Sequence, residues 1–336
     1  MRSVQITAPG EVVIVDAEPT APGTGEVQIR VELFGVCATD AHILHGSFPT
    51  AKYPVRPGHE ATGTVAQVGE GVSHVQVGDR VVIDPGSPCG TCYSCRDGRF
   101  NLCEDRHAFG IDLLGAGAEF ITLPAKNVLP IGDVPFHSAV LAEPLACVVH
   151  GMDMVPDVMG RRVLVVGAGT IGLLALIVAR SQGARTIAVV DTNEARLATA
   201  AATGADVTSS NLAEQIAGRD WDLTIDATGV PAVIGTLLEG LRRGGTHLQL
   251  GVADPDKTLP LSPYLVFARE LHIQGSMTTR HSFPRAIEIL QAGLVDGTVF
   301  TSEPFALEDY PAAIAQAGSG VTPKIVVTPR RAESTE

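Results

Sequence analysis

The sequence predicts an α/β protein of two domains, in which a β-rich block is followed by a doubly wound parallel sheet. Three observations carry this prediction. The chain has 336 residues, about twice a typical domain of roughly 150. Up to residue 128, short β-type runs alternate with turn signals. From about residue 145, continuous apolar runs alternate with helical patterns, which is typical of a parallel sheet covered by helices on both faces.

The composition narrows the classes of partner. Acidic residues number 37 and basic residues 24, which gives a net charge of −13. Nucleic acid and anionic membrane surfaces both require clustered positive charge, so neither is expected as a partner. Apolar residues make up 45% of the chain but aromatic residues only 4%, so the cores are expected to be aliphatic.

One segment has the hydrophobicity of a membrane span without its length. Residues 163–179 include no charge over 17 positions, whereas a spanning helix needs about 20, and the segment contains three glycines. The N-terminal residues 1–9 lack the apolar stretch of a signal peptide. The sequence therefore predicts a cytoplasmic protein.

The first block is expected to be all β. The predicted strands are Val27–Leu33, Thr64–Val68, Val75–Val77 and Arg80–Ile83, with turn signals at residues 21–25 and 84–86.

The second block is expected to alternate strands and helices. The predicted strands are Arg162–Val166, Thr186–Val190, Leu223–Asp226 and His247–Leu250, and the helices Ile171–Ser181, Glu194–Thr203 and Pro231–Leu241. From about Met277 the character is mixed, with helices predicted at Ser282–Ala292 and Ala306–Ala317, a strand at Lys324–Val327 and a polar tail from Arg330 to Glu336.

A dinucleotide site is predicted after the first buried strand of the second block. The pattern G-x-G-x-x-G spans Gly167, Gly169, Thr170, Ile171 and Gly172 and opens a helix. In this context the first glycine allows a tight turn, the second lets the backbone approach a pyrophosphate, and the third lets helix and strand pack closely. The free N–H groups at the helix start bind phosphates.

The cofactor is predicted to be NAD. Asp191 ends the next strand, 19 residues after Gly172, where it would accept hydrogen bonds from ribose hydroxyls and repel a 2′-phosphate. Arg196 either contacts the adenosine end or lies on a solvated helix face. Trp221 is expected at the surface or against the adenine.

Four cysteines predict a structural zinc site. Cys89, Cys92, Cys95 and Cys103 lie within fifteen residues, and four thiolates suit a closed tetrahedral zinc site. Disulfides or a redox role are the alternatives, but a long chain with only two other cysteines favours metal.

A second metal site is predicted from scattered residues. Cys37 follows an apolar strand in a polar loop, His59 and Glu60 are adjacent, and Glu143 lies where the β block gives way to the nucleotide block. Mixed ligands with an open position are typical of catalytic zinc.

Taken together, these motifs resemble the zinc-dependent medium-chain alcohol dehydrogenases. The run Gly58-His59-Glu60-x2-Gly63-x5-Gly69-x2-Val72 matches that family's zinc signature without a departure. The Cys37 loop, the cysteine lobe, the Gly167 fingerprint and the run Asp226 to Gly229 match in the family order. The resemblance covers essentially the whole chain.

The resemblance implies a GroES-like catalytic domain and a Rossmann nucleotide domain. Their expected bounds are 1–144 for the catalytic domain with its zinc lobe at 86–104, 145–276 for the nucleotide domain, and 277–336 for the return to the catalytic domain. It implies two zinc ions per chain, adds Thr228 and Gly251 to the residues that bind the cofactor, and implies a homotetramer that pairs along the strand edge near Leu271 to Gly275.

The same resemblance implies roles for the catalytic residues. Cys37, His59 and Glu143 would hold the zinc, and Glu60 would be a fourth ligand or a carboxylate that exchanges with water. Asp40 would orient one of the ligands. Zinc would lower the pKa of the substrate hydroxyl, Thr39 would relay its proton and His42 would pass it to solvent.

Position 143 sharpens the expected substrate. Ethanol-type members carry cysteine there, whereas Glu143 within Glu-Pro-Leu looks like the branch of polyol (sorbitol, xylitol, arabinitol) and threonine dehydrogenases. The sequence thus predicts an NAD-dependent oxidoreductase that converts a secondary alcohol to a ketone. A threonine-type amino-alcohol dehydrogenase or a carbonyl reductase is the enzymatic alternative, and a non-catalytic dinucleotide-binding protein is the rival from another class.

Overall fold

The structure is a computed structural model and describes residues 1–48, 50–218 and 220–330. The chain folds into two compact units. The first unit joins Met1–Glu143 to the segment that begins at Phe283, and the second is Pro144–Ser282.

The chain begins with β strands and short helices. These are β1 (Arg2–Ala8), β2 (Glu11–Asp16), β3 (Glu26–Val36), α1 (Ala38–Leu44), β4 (Glu60–Val68), β5 (Arg80–Ile83), β6 (Gly86–Ser87), α2 (Tyr93–Arg96), β7 (His107–Ala108), β8 (Phe120–Pro124), β9 (Val128–Pro130) and α3 (Phe136–Ala139). Short 3₁₀ turns cover Phe100–Leu102 and Ala125–Asn127.

Strands and helices then alternate. The elements are α4 (Ala142–Asp153), β10 (Arg162–Val166), α5 (Thr170–Ser181), β11 (Thr186–Val190), α6 (Glu194–Ala202), β12 (Val207–Ser209), α7 (Leu212–Ile216), β13 (Trp221–Asp226), α8 (Pro231–Glu239), β14 (Leu241–Gln249), α9 (Pro263–Arg269) and β15 (His272–Gly275). The chain closes with α10 (Phe283–Gln291), α11 (Gly297–Phe300), β16 (Phe305–Ala306), a 3₁₀ turn at Leu307–Asp309, α12 (Tyr310–Ser319) and β17 (Ile325–Thr328).

The first unit is built on a sheet in the order β16-β17-β3-β4-β5-β9, with β8 also paired to β3. Most of its pairs are antiparallel, and β17 from the end of the chain pairs with β3 from its beginning. The core beneath the sheet is aliphatic, with Phe34 and Tyr310 among its few aromatic members.

The second unit is a parallel sheet in the order β12-β11-β10-β13-β14-β15. This is the strand order of a doubly wound nucleotide-binding sheet, whose ligands bind at the carboxyl ends of the strands where the order reverses. The predicted fold class is confirmed in this unit. The uncharged run at residues 163–179 divides between β10, a turn and α5, and no helix of the described residues is long and apolar enough to cross a membrane.

Two predictions made from the sequence are wrong. Val75–Val77 forms no strand, because Asp79 accepts a hydrogen bond from the Gln76 backbone N–H and closes a turn that leaves Val77 60% exposed. Trp221 is not at the surface. It is fully buried in the core of the second unit, where its indole N–H donates to the Gln215 carbonyl at 2.8 Å.

Candidate metal and cofactor sites

The loop that carries Cys37 is fixed by its own residues. β3 ends at Val36 and α1 begins at Ala38, so Cys37 is the residue that precedes the helix. The Cys37 N–H donates to Asp40 Oδ2 at 2.7 Å, and the Cys37 thiol lies 3.7 Å from Thr39 Oγ1. This arrangement places the sulfur directly after strand β3.

Strand β4 brings the next two predicted ligands to the same place. Gly35 pairs with Glu60, and a Cβ at Gly35 would lie only 2.2 Å from Glu60 Oε2, so the glycine gives the carboxylate its room. Ligand atoms of Cys37, His59 and Glu60 all lie within 4.8 Å of one another. A thiolate, an imidazole and a carboxylate at this spacing are a donor set that suits zinc.

Asp40 lies behind the imidazole. His59 Nδ1 is 3.8 Å from Asp40 Oδ1, and both side chains are buried. Burial raises the pKa of Asp40, while the nearby His59 opposes that rise. Because Nδ1 faces Asp40, Nε2 is the nitrogen left for a metal, which is the usual arrangement of a zinc-bound histidine with a carboxylate behind it.

Lys324 is a site residue that the sequence analysis missed. Its ammonium donates to both Glu60 carboxylate oxygens, at 2.8 and 2.5 Å, and also contacts the Val36 carbonyl at 3.4 Å. Burial alone would lower the pKa of Lys324, but Glu60 and Cys37 outweigh it and raise the pKa. Lys324 and Glu60 are 264 positions apart in sequence, and the only signal was a lone lysine beside the last apolar run.

Glu143 is not among the three residues whose ligand atoms cluster within 4.8 Å. It lies in the first turn of α4, half-buried, and its charge contributes to the raised pKa of Lys324. The carboxylate is therefore near the Glu60–Lys324 pair.

The two residues of the predicted proton relay lie on α1. Thr39 is exposed along part of its surface and lies beside the Cys37 sulfur, whereas the Nδ1 of His42 is 3.1 Å from Ser47 Oγ. Within the described residues no hydrogen bond joins Thr39 to His42. Ser47, which the sequence analysis did not single out, holds the imidazole ring.

The four cysteines of the lobe form a compact cluster. Their sulfur atoms all lie within 4.8 Å of one another, and all four thiols are free of disulfides. The N–H groups of Thr91 and Cys92 point at the Cys89 sulfur from 3.4 Å each and lower the pKa of this thiol to about 6. Sulfur atoms that gather around one centre and accept backbone N–H bonds fit a thiolate cage for zinc.

The glycine turn between β10 and α5 has the predicted geometry. Gly167 has a φ of 99°, and a Cβ at Gly172 would lie 1.7 Å from the Gly167 carbonyl oxygen, so the protein itself requires both glycines. A Cβ at Gly169 would meet nothing within 4 Å. The space beside Gly169 is open where α5 begins with Thr170 and Ile171, and the N-terminus of a helix at such a turn fits a dinucleotide phosphate.

Asp191 lies at the end of β11 beside this turn. Its carboxylate accepts the Ala168 N–H at 2.7 Å and the Asn193 N–H at 2.9 Å, which leaves further lone pairs for a ribose hydroxyl. The guanidinium of Arg196 lies 3.5 Å from the same carboxylate, so Arg196 belongs to this end of the site.

Asp226 organises the opposite wall of the glycine turn. This fully buried carboxylate accepts hydrogen bonds from the Thr228 hydroxyl at 2.6 Å and from the Gly229 N–H at 2.8 Å. Thr228 Cγ2 would lie 3.0 Å from a Cβ at Gly167. Gly251 packs against this loop so closely that its Cβ would lie 2.3 Å from the Gly229 nitrogen.

Comparison with known proteins matches these sites to one class. Residues 23–133 match the alcohol dehydrogenase GroES-like domain, and residues 170–292 match the zinc-binding dehydrogenase family. The chain is 38% identical over 304 residues to D-altritol 5-dehydrogenase of Agrobacterium fabrum, covering 89% of this chain and 90% of the relative. It is 32% identical over 340 residues to D-arabinitol dehydrogenase 1 of Uromyces fabae, covering 98% and 97%.

A solved structure agrees over the full length. A zinc-binding dehydrogenase from Sinorhizobium meliloti bound to NADP has a TM-score of 0.93 and 30% identity, covering 98% of this chain and 99% of that one. Fold and site define a zinc-dependent dehydrogenase with a GroES-like domain and a Rossmann-type sheet. The chain belongs to the zinc-dependent medium-chain alcohol dehydrogenase family, which supports zinc and a nicotinamide dinucleotide as its cofactors.

Proposed function

We propose that the protein is an NAD-dependent zinc dehydrogenase that oxidises a secondary alcohol of a polyol to a ketone. In the overall reaction the alcohol and NAD⁺ give the ketone, NADH and one proton. The observation that carries the proposal is the cluster of Cys37, His59 and Glu60 with Asp40 behind the imidazole. A chain that also carries the dinucleotide turn has the parts that hydride transfer requires.

Cys37, His59 and Glu143 are the proposed protein ligands of the catalytic zinc. Glu60 already has a buried cationic partner in Lys324, which favours Glu143 over Glu60 as the third ligand. When bound, zinc supplies Lewis acidity at the substrate hydroxyl. A second zinc is proposed in the cage of Cys89, Cys92, Cys95 and Cys103, which would make two per chain.

The proton released from the substrate is proposed to leave along α1. Thr39 lies beside the Cys37 sulfur and accepts the proton through its hydroxyl. His42 lies further along the same helix and exchanges the proton with water, as imidazole side chains do in general acid–base catalysis. A water or a substrate hydroxyl is needed to bridge the two side chains.

NAD is the proposed cofactor over NADP. The carboxylate of Asp191 lies where a 2′-phosphate would bring a like charge, and this repulsion disfavours NADP. Arg196 acts in the opposite sense, because its guanidinium could partner a phosphate if it turned from Asp191. The related structure bound to NADP makes a direct measurement of both cofactors necessary.

A polyol is the proposed substrate class. Two of the relatives are named as dehydrogenases of D-altritol and D-arabinitol, and the chain is 38% and 32% identical to them. Glu143 in the Glu-Pro-Leu run sets the chain apart from ethanol-type members and resembles the branch of polyol and threonine dehydrogenases. A threonine-type dehydrogenase and a non-catalytic dinucleotide binder are the competing hypotheses.

The deciding experiment is a substrate panel with both cofactors. Formation of NADH or NADPH is followed by absorbance with D-altritol, D-arabinitol, sorbitol, xylitol, ethanol and L-threonine. We expect a pentitol or hexitol with NAD to give the highest kcat/KM. Preference for L-threonine would favour the amino-alcohol hypothesis, and no turnover in protein loaded with zinc would favour a non-catalytic binder.

The domain boundaries, the assembly and the location are further parts of the proposal. We assign residues 1–144 and 277–336 to the catalytic domain and 145–276 to the nucleotide domain. The boundaries between the two compact units fall close to these, at 143/144 and at 282/283. A homotetramer in the cytoplasm is the proposed working form.

A further inference from the structure

The segment that returns to the first unit brings a tyrosine into the core near the zinc ligands. Tyr310 begins α12, is fully buried, and has its ring centroid 5.9 Å from that of Phe34. Helix α12 packs against α1, the helix that carries Asp40. A tyrosine hydroxyl at such a position requires a hydrogen-bond partner.

Three buried polar atoms at this place lack a hydrogen bond within the described part of the chain. They are Tyr310 Oη, Asp40 Oδ1 and His59 Nδ1. Asp40 connects the other two groups. Its Oδ1 lies 3.8 Å from His59 Nδ1, and its charge acts on the Tyr310 hydroxyl. Isolated orphan atoms are rare in native proteins, and three together indicate one network.

The lone pairs of Asp40 match the number of donors. Asp40 Oδ2 already accepts the Cys37 N–H at 2.7 Å. Asp40 Oδ1 has two lone pairs and two candidate donors, the His59 Nδ1–H and the Tyr310 O–H. Closing the gap of 3.8 Å by about an ångström would complete the first of these bonds.

We propose that Tyr310 is a positioning residue for the catalytic zinc, donating a hydrogen bond to Asp40 Oδ1 while Asp40 accepts one from His59. This inference rests on the proposed zinc site. The network fixes the carboxylate, the carboxylate fixes the orientation and tautomer of the imidazole, and His59 Nε2 is thereby held for the metal. Tyr310, from a helix near the end of the chain, thus sets the orientation of His59 without contacting the metal itself.

The test is Tyr310→Phe, which removes only the hydroxyl. Tyr53→Phe is the matched control, since the Tyr53 hydroxyl bonds the Ile43 carbonyl, which also accepts the Gly46 N–H. We expect release of the catalytic zinc to a chelator to be about 5-fold faster in Tyr310→Phe. This lies below the roughly 10–100-fold effects of groups bonded directly to a ligand. We also expect a shifted visible spectrum after cobalt substitution, and a lower kcat at similar KM.

A double-mutant cycle separates positioning from packing. In an Asp40→Asn background, the Tyr310→Phe change should no longer alter zinc release, because the acceptor that couples Tyr310 to His59 has changed. Tyr310→Phe with wild-type zinc release and cobalt spectrum overturns the inference, as does an equal effect in both backgrounds. If His59→Ala contains as much zinc as the wild type, the proposed zinc site itself is wrong.

Discussion

Glu143 is the residue on which we expect the choice between simple alcohols and polyols to depend. In the proposed zinc site, Cys37 and Glu143 would each supply one negative charge and together neutralise Zn²⁺, while the charge of Glu60 is matched by Lys324. A carboxylate is a harder ligand than a thiolate and donates less electron density. A zinc held in this way is a stronger Lewis acid than one with a second thiolate.

We therefore expect Glu143→Ala to lose the catalytic zinc and at least about 100-fold in kcat/KM, because removing a ligand costs more than removing a group behind one. Elemental analysis should still find the zinc of the cysteine cage. Glu143→Cys should retain both zincs and shift preference from polyols towards simple alcohols. An active, fully metallated Glu143→Ala would make Glu60 the third ligand.

The choice between NAD and NADP is the second property that we expect single residues to set. Asp191→Asn keeps one of the two oxygens that accept the Ala168 and Asn193 N–H groups, and it removes the charge that is proposed to repel a 2′-phosphate. Combined with Thr192→Arg, it should raise the ratio of kcat/KM for NADP to that for NAD at least about tenfold. Thr192→Arg alone is the control. Wild-type protein that uses NADP as well as NAD would show that Asp191 does not discriminate.

At the scale of elements, strands buried on both faces were predictable and distant pairings were not. β10 and β11 begin and end as predicted, because a continuous apolar run has sharp ends. β14 begins at Leu241, six residues earlier than predicted, because its first residues are mostly polar and do not resemble a buried strand. The pairing is also irregular there, since Leu241 and Thr246 pair with Trp221 and Leu223, which are only two positions apart.

The candidate site divides in the same way. The cysteine spacing and the glycine pattern are local in sequence, so the chemistry of each could be predicted from residues close together in the chain. Lys324 and Tyr310 lie near the proposed zinc site only because β17 and α12 pack against elements from the start of the chain, and no local sequence pattern predicts this packing. Their roles became visible only with the fold.

The cysteine lobe and the catalytic cluster should differ in metal lability. The proposed cage offers four cysteine sulfurs, whereas the proposed catalytic site has mixed ligands and would leave one position open. We expect two zinc ions per chain, with a chelator removing the catalytic one first. Elemental analysis during timed exposure to chelator measures this. Simultaneous loss of both ions, or a single ion in protein purified with zinc, would contradict it.

The β13–β14 pair should make the second unit sensitive to acid. His247 is fully buried, with Nδ1 3.0 Å from Thr224 Oγ1 and Nε2 3.1 Å from Gln249 Oε1. Burial lowers the pKa of His247, so the ring stays neutral in the fold while the unfolded chain takes up a proton below about pH 6.5. Stability present at neutral pH is therefore lost as the pH falls below this value.

His247→Gln should flatten that dependence. For one extra proton bound by the unfolded state, the slope approaches about 1.4 kcal/mol per pH unit. Urea denaturation at three pH values, one near neutral and two below the ordinary histidine pKa, gives the comparison, and other histidines cancel between the variant and the wild type. Parallel stability curves for the two proteins would show that His247 is not responsible.

At the scale of the whole molecule, the sheet of the second unit ends in an edge strand within the described residues. β15 ends the parallel sheet, and nearby apolar side chains are widely exposed, with Phe267 at 80%, Tyr264 at 76% and Ile273 at 46%. An exposed strand edge with an apolar surface is a ready template for pairing with a second copy.

We expect a tetramer of four 35.0 kDa chains in solution. Light scattering at micromolar concentration should show it, and Phe267→Glu with Ile273→Lys should reduce the mass to that of a dimer or monomer. Val77→Glu, at a 60% exposed position of the first unit, is the control. Wild-type protein with the mass of one chain would contradict the expected tetramer.

The burial of Trp221 determines which part of the protein a tryptophan fluorescence experiment reports on. It is the chain's only tryptophan, and it lies in the core of Pro144–Ser282 with Arg162 stacked 5.0 Å from its ring. Its emission reports when this one core opens to water, and a chain with two compact units need not melt in a single step. A smooth fluorescence curve would thus describe half of the molecule, and an independent signal, such as zinc released from the cysteine cage, is needed to follow the other half.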